Sequence, residues 1–177
     1  LYFPTGGGKT EAFLGVLVFN LFFDRYRGKE CGVTSILRYP LRLLSVQQVQ
    51  RLANVIAQAE LIRRADISIA RTEEFSLGYF VGDANTPNKI EKKNVIKYRT
   101  SSQAVLDEER IIDVCPFCGK QTVHLKFDEE SYRLIHFCDN TECPSNGVLP
   151  IYIVDYEIYR YLPSAIISTV DKLAILG

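Results

Sequence analysis

Two groups of residues in this 177-residue chain have the types and spacing to do chemistry. The first is the opening run Phe3-Pro4-Thr5-Gly6-Gly7-Gly8-Lys9-Thr10-Glu11. Three successive glycines allow positive φ and bring backbone N–H groups close around an anion. Lys9 can reach β/γ-phosphates, and Thr10 can ligate magnesium. A helix opening at Lys9 adds the positive end of its dipole. Thr5, Gly6, Gly7, Gly8, Lys9, Thr10 and Glu11 are therefore candidate nucleotide-binding residues, with Lys9 and Thr10 placed to act on a transferring phosphoryl group. Phe3 stands where such loops usually carry a further glycine, so the match is to the Gly-x-Gly-Lys-Thr core, and a plain glycine turn is the alternative.

The second group is cysteine. Cys115-Pro116-Phe117-Cys118 and Cys138-Asp139-Asn140-Thr141-Glu142-Cys143 are separated by nineteen residues. Between them, Thr122 to Phe127 and Tyr132 to Phe137 alternate like two strands joined at Asp128-Glu129-Glu130-Ser131. Two turn-borne pairs flanking a hairpin describe a zinc ribbon, in which four thiolates enclose one tetrahedral ion. Four sulfurs leave no open position for water, so the zinc expected at Cys115, Cys118, Cys138 and Cys143 is structural. A pair of disulfides is the alternative. His124 and His136 could each replace a cysteine but fall inside the predicted strands.

These residues need elements to hold them. The pattern predicts a buried strand at 1–3 and a helix from Thr10 to Tyr26 that is apolar on nearly every face, hence packed against a sheet. A strand follows over Gly32 to Tyr39, ending at Pro40. A second helix runs from Ser45 to Ala65, with Val46, Val49, Leu52, Ile56 and Leu61 near one face and a polar face that includes Gln50 and Asn54. Short strands are expected at Ile67–Ala70 and Leu77–Val81, then a loop over 82–88. Residues 89–114 read as a charged linker, or as a basic arm against phosphates. Strand character returns at Val148–Val154 and Ala165–Ser168, with a short helix at Asp155–Tyr161 between them. Asp155 and Glu157 invite a magnesium-binding reading, but a capping aspartate at a strand exit is preferred. The organisation expected is a first part of an α/β domain over 1–88, a linker over 89–114, a zinc-ribbon insertion over 115–147 and a continuation over 148–177.

Composition sets limits. Lys plus Arg and Asp plus Glu are both 21, so any nucleic-acid contact must come from local patches. Nearly half the chain is apolar, which excludes a disordered segment. No run is long enough to span a bilayer and no leader is visible, so a soluble, cytoplasmic protein without membrane partners is expected.

In order, these motifs resemble the first RecA-like domain of a superfamily 2 helicase. Pro4 to Glu11 resembles helicase motif I. Tyr39-Pro40-Leu41-Arg42-Leu43-Leu44-Ser45-Val46-Gln47 is similar to motif Ia, which implies that Pro40, Arg42 and Gln47 meet the phosphates of a bound strand. Ser168-Thr169-Val170-Asp171-Lys172-Leu173 resembles motif Ib, implying further backbone contacts at Ser168 and Thr169. Arg-Tyr-Pro-Leu-Arg-Leu-Leu and Ser-Thr-Val-Asp-Lys-Leu-Ala look most like the helicases of DISARM-type phage defence. The resemblance implies a RecA-like P-loop NTPase sheet with helices on both faces. It also implies ATP and Mg2+ as cofactors, nucleic acid as partner with DNA ahead of RNA, and a second RecA-like domain of the same chain closing over the nucleotide. No Asp-Glu-x-His or Asp-Glu-x-Asp follows motif Ib, so residues 1–177 alone are expected to hydrolyse ATP poorly. A zinc-ribbon binding module with a degenerate nucleotide site is the competing reading. A kinase or GTPase is disfavoured by motif Ia and by the lack of an Asn-Lys-x-Asp sequence.

Overall fold

The computed structural model describes residues 8–39, 42–81 and 87–174, without the side chains at 42–47, 92–93 and 173–174. The expected strand at 1–3, together with Thr5, Gly6, Gly7 and Pro40, lies outside the described residues, as do the side chains of Arg42 and Gln47.

Among the described residues, four parallel strands form the main sheet: β1 (Ser35–Tyr39), β2 (Leu77–Phe80), β5 (Ile151–Tyr152) and β6 (Ala165–Thr169). Their order is β1-β6-β2-β5. Every residue of β6 is buried, as befits a strand flanked on both edges within a parallel sheet. Its register sets Tyr39 beside Thr169 and Phe80 beside Ser168, so the carboxyl ends of β1, β6 and β2 finish together. Helices flank this sheet: α1 (Lys9–Tyr26), α2 (Arg42–Ala65), α5 (Asp155–Tyr161) and α6 (Val170–Ala174). The core joins Leu17 and Leu21 of α1 to Leu52 and Ile56 of α2 and to Leu77, Tyr79 and Ile167 of the sheet. Strands β3 (Val123–Asp128) and β4 (Arg133–Cys138) form a separate antiparallel hairpin.

Four expectations are corrected. Helix α1 is not buried all round: Phe13 and Phe19 are 56% and 64% exposed, because among the described residues it is the side carrying Leu17 and Leu21 that packs into the core. Residues 67–70 are turns, not a strand. Asp66 ties them down, its side chain accepting from the Ser68 amide and its carbonyl from the amides of Ile69 and Ala70. The stretch read as a linker holds α3 (Lys92–Thr100) and α4 (Gln103–Asp107), anchored by buried Val95, Tyr98 and Leu106. The strand expected over 148–154 shrinks to Ile151–Tyr152, since Val148 is diverted into a bridge with Phe137.

Gly78 in β2 is fixed by space. A Cβ there would lie 2.7 Å from Pro163 Cγ, and 3.4 Å from side-chain carbons of Ile158 and Ile166. Gly78→Ala is expected to destabilise the protein by about 1–3 kcal/mol, read as a lower denaturation midpoint in urea.

Candidate functional site

The cysteines meet as their spacing predicts. All four sulfurs lie within 4.8 Å of one another. Cys115 Sγ is 3.6 Å from Cys143 Sγ, and Cys118 Sγ is 3.8 Å from Cys138 Sγ. A disulfide needs about 2.05 Å, whereas a tetrahedron with metal–sulfur bonds of about 2.3 Å has edges of about 3.8 Å. The donor set and these separations fit zinc. Hydrogen bonding tightens the turns, with the Gly119 amide donating to the Cys115 carbonyl and the Thr122 hydroxyl 3.1 Å from Cys138 Sγ. Burial pushes the Cys115 thiol up and raises Cys138 as well. At Cys118 burial is outweighed by the Lys120 amide and the Asn140 side chain, which bring it down to about 6. A dication at the centre would hold all four as thiolates.

Neither histidine joins this cluster. His124 lies between carboxylates, Nδ1 2.8 Å from Asp107 and Nε2 3.3 Å from Asp139. His136 is wholly buried and accepts from the Ile111 amide through Nε2 at 3.2 Å. Desolvation holds its pKa down to about 4, so the ring is neutral.

The cysteine turns are fastened to α2. Gln50 Nε2 donates to the Val114 carbonyl at 2.9 Å, and the Val114 amide returns a bond to Gln50 Oε1 at 3.2 Å. Gln58 Nε2 reaches the Pro116 carbonyl, and Arg64 Nη1 the Pro144 carbonyl at 2.8 Å, with its guanidinium over the Phe117 ring. The polar side of α2 is thus in part a docking face. The signal was available in sequence: Gln50, Asn54 and Gln58 recur at helical spacing.

At the other end of α2, three helix starts come together. Gly8, the N-cap of α1, has φ +75° and no side chain with which to cap the helix. Lys9 and Thr10 open a groove of about 420 Å3 that runs between α1 and β1 to Arg38 and Tyr39. Helix α2 begins just beyond Tyr39, and α6 begins beyond Thr169, the register partner of Tyr39. Glu11 pairs with Arg51 of α2.

Ser168 and Thr169 are both buried. Ser168 is completely buried and donates to the Thr169 carbonyl, while Thr169 Oγ1 accepts from the Lys172 amide as an N-cap of α6. For Ser168 in particular, direct contact with a bound strand is incompatible with this burial. Asp155 follows β5 at the edge farthest from β1 and pairs with buried Lys172 at 2.7 Å. Lys172 also donates to Asn88. Glu157 is buried and pairs with Arg133 at 3.3 Å. Asp155 is not the capping residue expected: Val154 is the N-cap of α5 and makes no side-chain capping bond, while Asp155 is the first residue of the helix and is engaged by Lys172.

No protein-family profile matches the chain. The chain is similar to the "DISARM protein DrmA" of Bacillus paralicheniformis, with 40% identity over 192 aligned positions that take in 98% of this chain. It spans 17% of the length of that relative. Among the described residues, no helix is long and apolar enough to cross a membrane.

Proposed function

We propose that this chain is part of the first RecA-like lobe of an ATP-dependent helicase or translocase that acts on nucleic acid in anti-phage defence. The observation that carries the reading is the meeting of the α1, α2 and α6 starts at the carboxyl end of one parallel sheet, where open α/β sheets bind their ligands. Similarity to a DISARM protein over almost the whole chain supports the defence role.

In this reading Gly6, Gly7 and Gly8 cradle the phosphates of ATP, Lys9 neutralises the γ-phosphoryl group, and Thr10 holds magnesium. The starts of α2 and α6 grip the sugar-phosphate backbone, Arg42 adding charge, so the contact is indifferent to sequence. Zinc at the four cysteines holds the hairpin and braces α2. Neither Asp155 nor Glu157 can serve as the water-orienting acid, because both are engaged in ion pairs around β5. Hydrolysis is therefore assigned to the full-length protein.

Lys9→Ala in the full-length protein is expected to lower its nucleic-acid-stimulated ATPase about 100-fold, measured as phosphate release. An unchanged rate with intact function would favour the competing reading, a zinc-ribbon binding module whose nucleotide site has decayed.

A further inference from the structure

A second cleft of about 340 Å3 lies between the tip of the zinc hairpin and α5. Its walls alternate aromatic rings with cations: Tyr132 and Arg133 from the hairpin, Tyr156, Arg160 and Tyr161 from α5, and Lys89 from the segment before α3. Three cations face one carboxylate, Glu157, which forms the floor and is 3% exposed. Glu129 and Glu130 sit on the same hairpin tip but do not line the cleft, and Glu129 is paired with Arg99.

The arrangement is preformed. Glu157 accepts from Arg133 Nε at 3.3 Å and from the Leu134 amide at 3.4 Å. Arg133 is thereby held over two stacked rings, 4.8 Å from the Tyr161 centroid and 5.3 Å from that of Tyr152. Lys89 Nζ lies 5.5 Å from the Tyr156 centroid, and Tyr156 and Tyr132 each leave about half of their surface open to solvent. Tyr132 has φ +55°, a left-handed conformation in which a side chain is strained and glycine is at ease. The hairpin tip thus carries an aromatic ring where the backbone alone would favour having none.

We infer that this cleft is a stacking site for single-stranded nucleic acid, taking one unpaired base between Tyr132 and Tyr156 and its flanking phosphates on Lys89 and Arg160. Exposed ring faces interleaved with lysine and arginine are the surface that planar bases and phosphates recognise together. Position supports the same ligand. Residues 87–90 follow the carboxyl end of β2, and the Asp155 and Tyr156 amides are bonded to the Pro87 and Asn88 carbonyls. The cleft therefore opens at the same end of the sheet as the α2 and α6 starts. From β6 to β5 is two strand spacings, about 10 Å, which a stacked strand rising roughly 3.4 Å per nucleotide crosses in about three. The zinc hairpin then has a working role, presenting the base platform beside the motor lobe's backbone grip.

This inference rests on the nucleic-acid reading above and is tested separately from it. In the full-length protein, Tyr132→Gly removes the ring and relieves the strained φ, so its melting temperature should hold or rise. Fluorescence anisotropy with a labelled mixed-sequence single strand is expected to show about tenfold weaker binding. An abasic strand of equal length should bind as it does to the wild type, and Tyr132→Phe should bind the base-bearing strand normally. Arg160→Gln should weaken both strands and flatten the salt dependence by about 0.7 in log–log slope. Unchanged affinity of Tyr132→Gly for the base-bearing strand, or equal losses on both strands, overturns the stacking site. If Lys9→Ala abolishes ATPase while Tyr132→Gly binds normally, only the cleft assignment falls. A wild-type protein with no affinity for either strand removes both.

Discussion

Removing zinc is expected to unfold residues 115–147 and to loosen α2 with them. A two-stranded hairpin is marginal by itself, and the apolar interior between β3 and β4 is small, built on Val123, Leu125 and Leu134. Metal binding supplies what is missing, because structural zinc contributes on the order of 10 kcal/mol in small modules. Without it, four sulfurs, pairs of them 3.6 and 3.8 Å apart, lose their common partner. Metal analysis of the purified protein should give one zinc per chain. Cys143→Ser or chelation should abolish it, and Cys31→Ser should not, since Cys31 is exposed and outside the cluster. The distinctive consequence is at a distance. Gln50, Gln58 and Arg64 bond to backbone carbonyls in the cysteine turns, so chelation should speed amide exchange along α2 as well as in the hairpin. A zinc-free protein whose hairpin amides stay protected would show that the four cysteines hold the module without metal.

The cysteine cluster was legible because its spacing is local: each pair lies within one turn, and the intervening alternation brings the turns together. Most of the main sheet was legible for a similar reason, since buried parallel strands such as 165–169 are short apolar runs with few competing patterns. Residues 89–114 were misread because their large apolar residues are sparse. Val95, Tyr98 and Leu106 anchor them only because the hairpin is there to pack on: Tyr98 meets Phe127, Gln103 bonds to the Leu125 carbonyl, and Asp107 to the Leu125 amide. Helix α1 was misread in the opposite sense. Its apolar residues are nearly continuous, and nothing in a one-dimensional pattern says which of them have neighbours; Leu17 and Leu21 do, while Phe13 and Phe19 face outward. The tyrosine-lined cleft was missed altogether, since its walls come from three segments far apart in sequence and only the fold brings Lys89, Tyr132 and Arg160 to one place.

Glu60 gives the second large effect, and its sequence surroundings announce little of it. The carboxylate is fully buried in α2 and accepts from Arg63 at 2.7 and 2.8 Å, from Arg64 at 2.8 Å and from the Phe75 amide at 2.8 Å. Arg63 in turn donates to the carbonyls of Ile69, Ala70 and Thr72. One carboxylate thus fixes the connection from α2 to β2, and through β2 the centre of the sheet. Glu60→Ala strands a buried guanidinium and is expected to cost about 3–5 kcal/mol; Glu60→Gln should also destabilise strongly, since it keeps the volume and loses the charge. The pH dependence has a definite sign. Burial pushes the Glu60 pKa upward, but Arg63, the Phe75 amide and Arg64 outweigh it, leaving it below the ordinary 4.5. The folded state therefore binds this proton less readily than the unfolded chain. Its stabilisation is complete above about pH 4.5 and is lost as pH falls through the lower, folded value. Melting temperatures of wild type and Glu60→Gln should differ most near neutrality and converge in acid, and a gap that stays constant down to strong acid would mean that the charge on Glu60 is not what holds this connection.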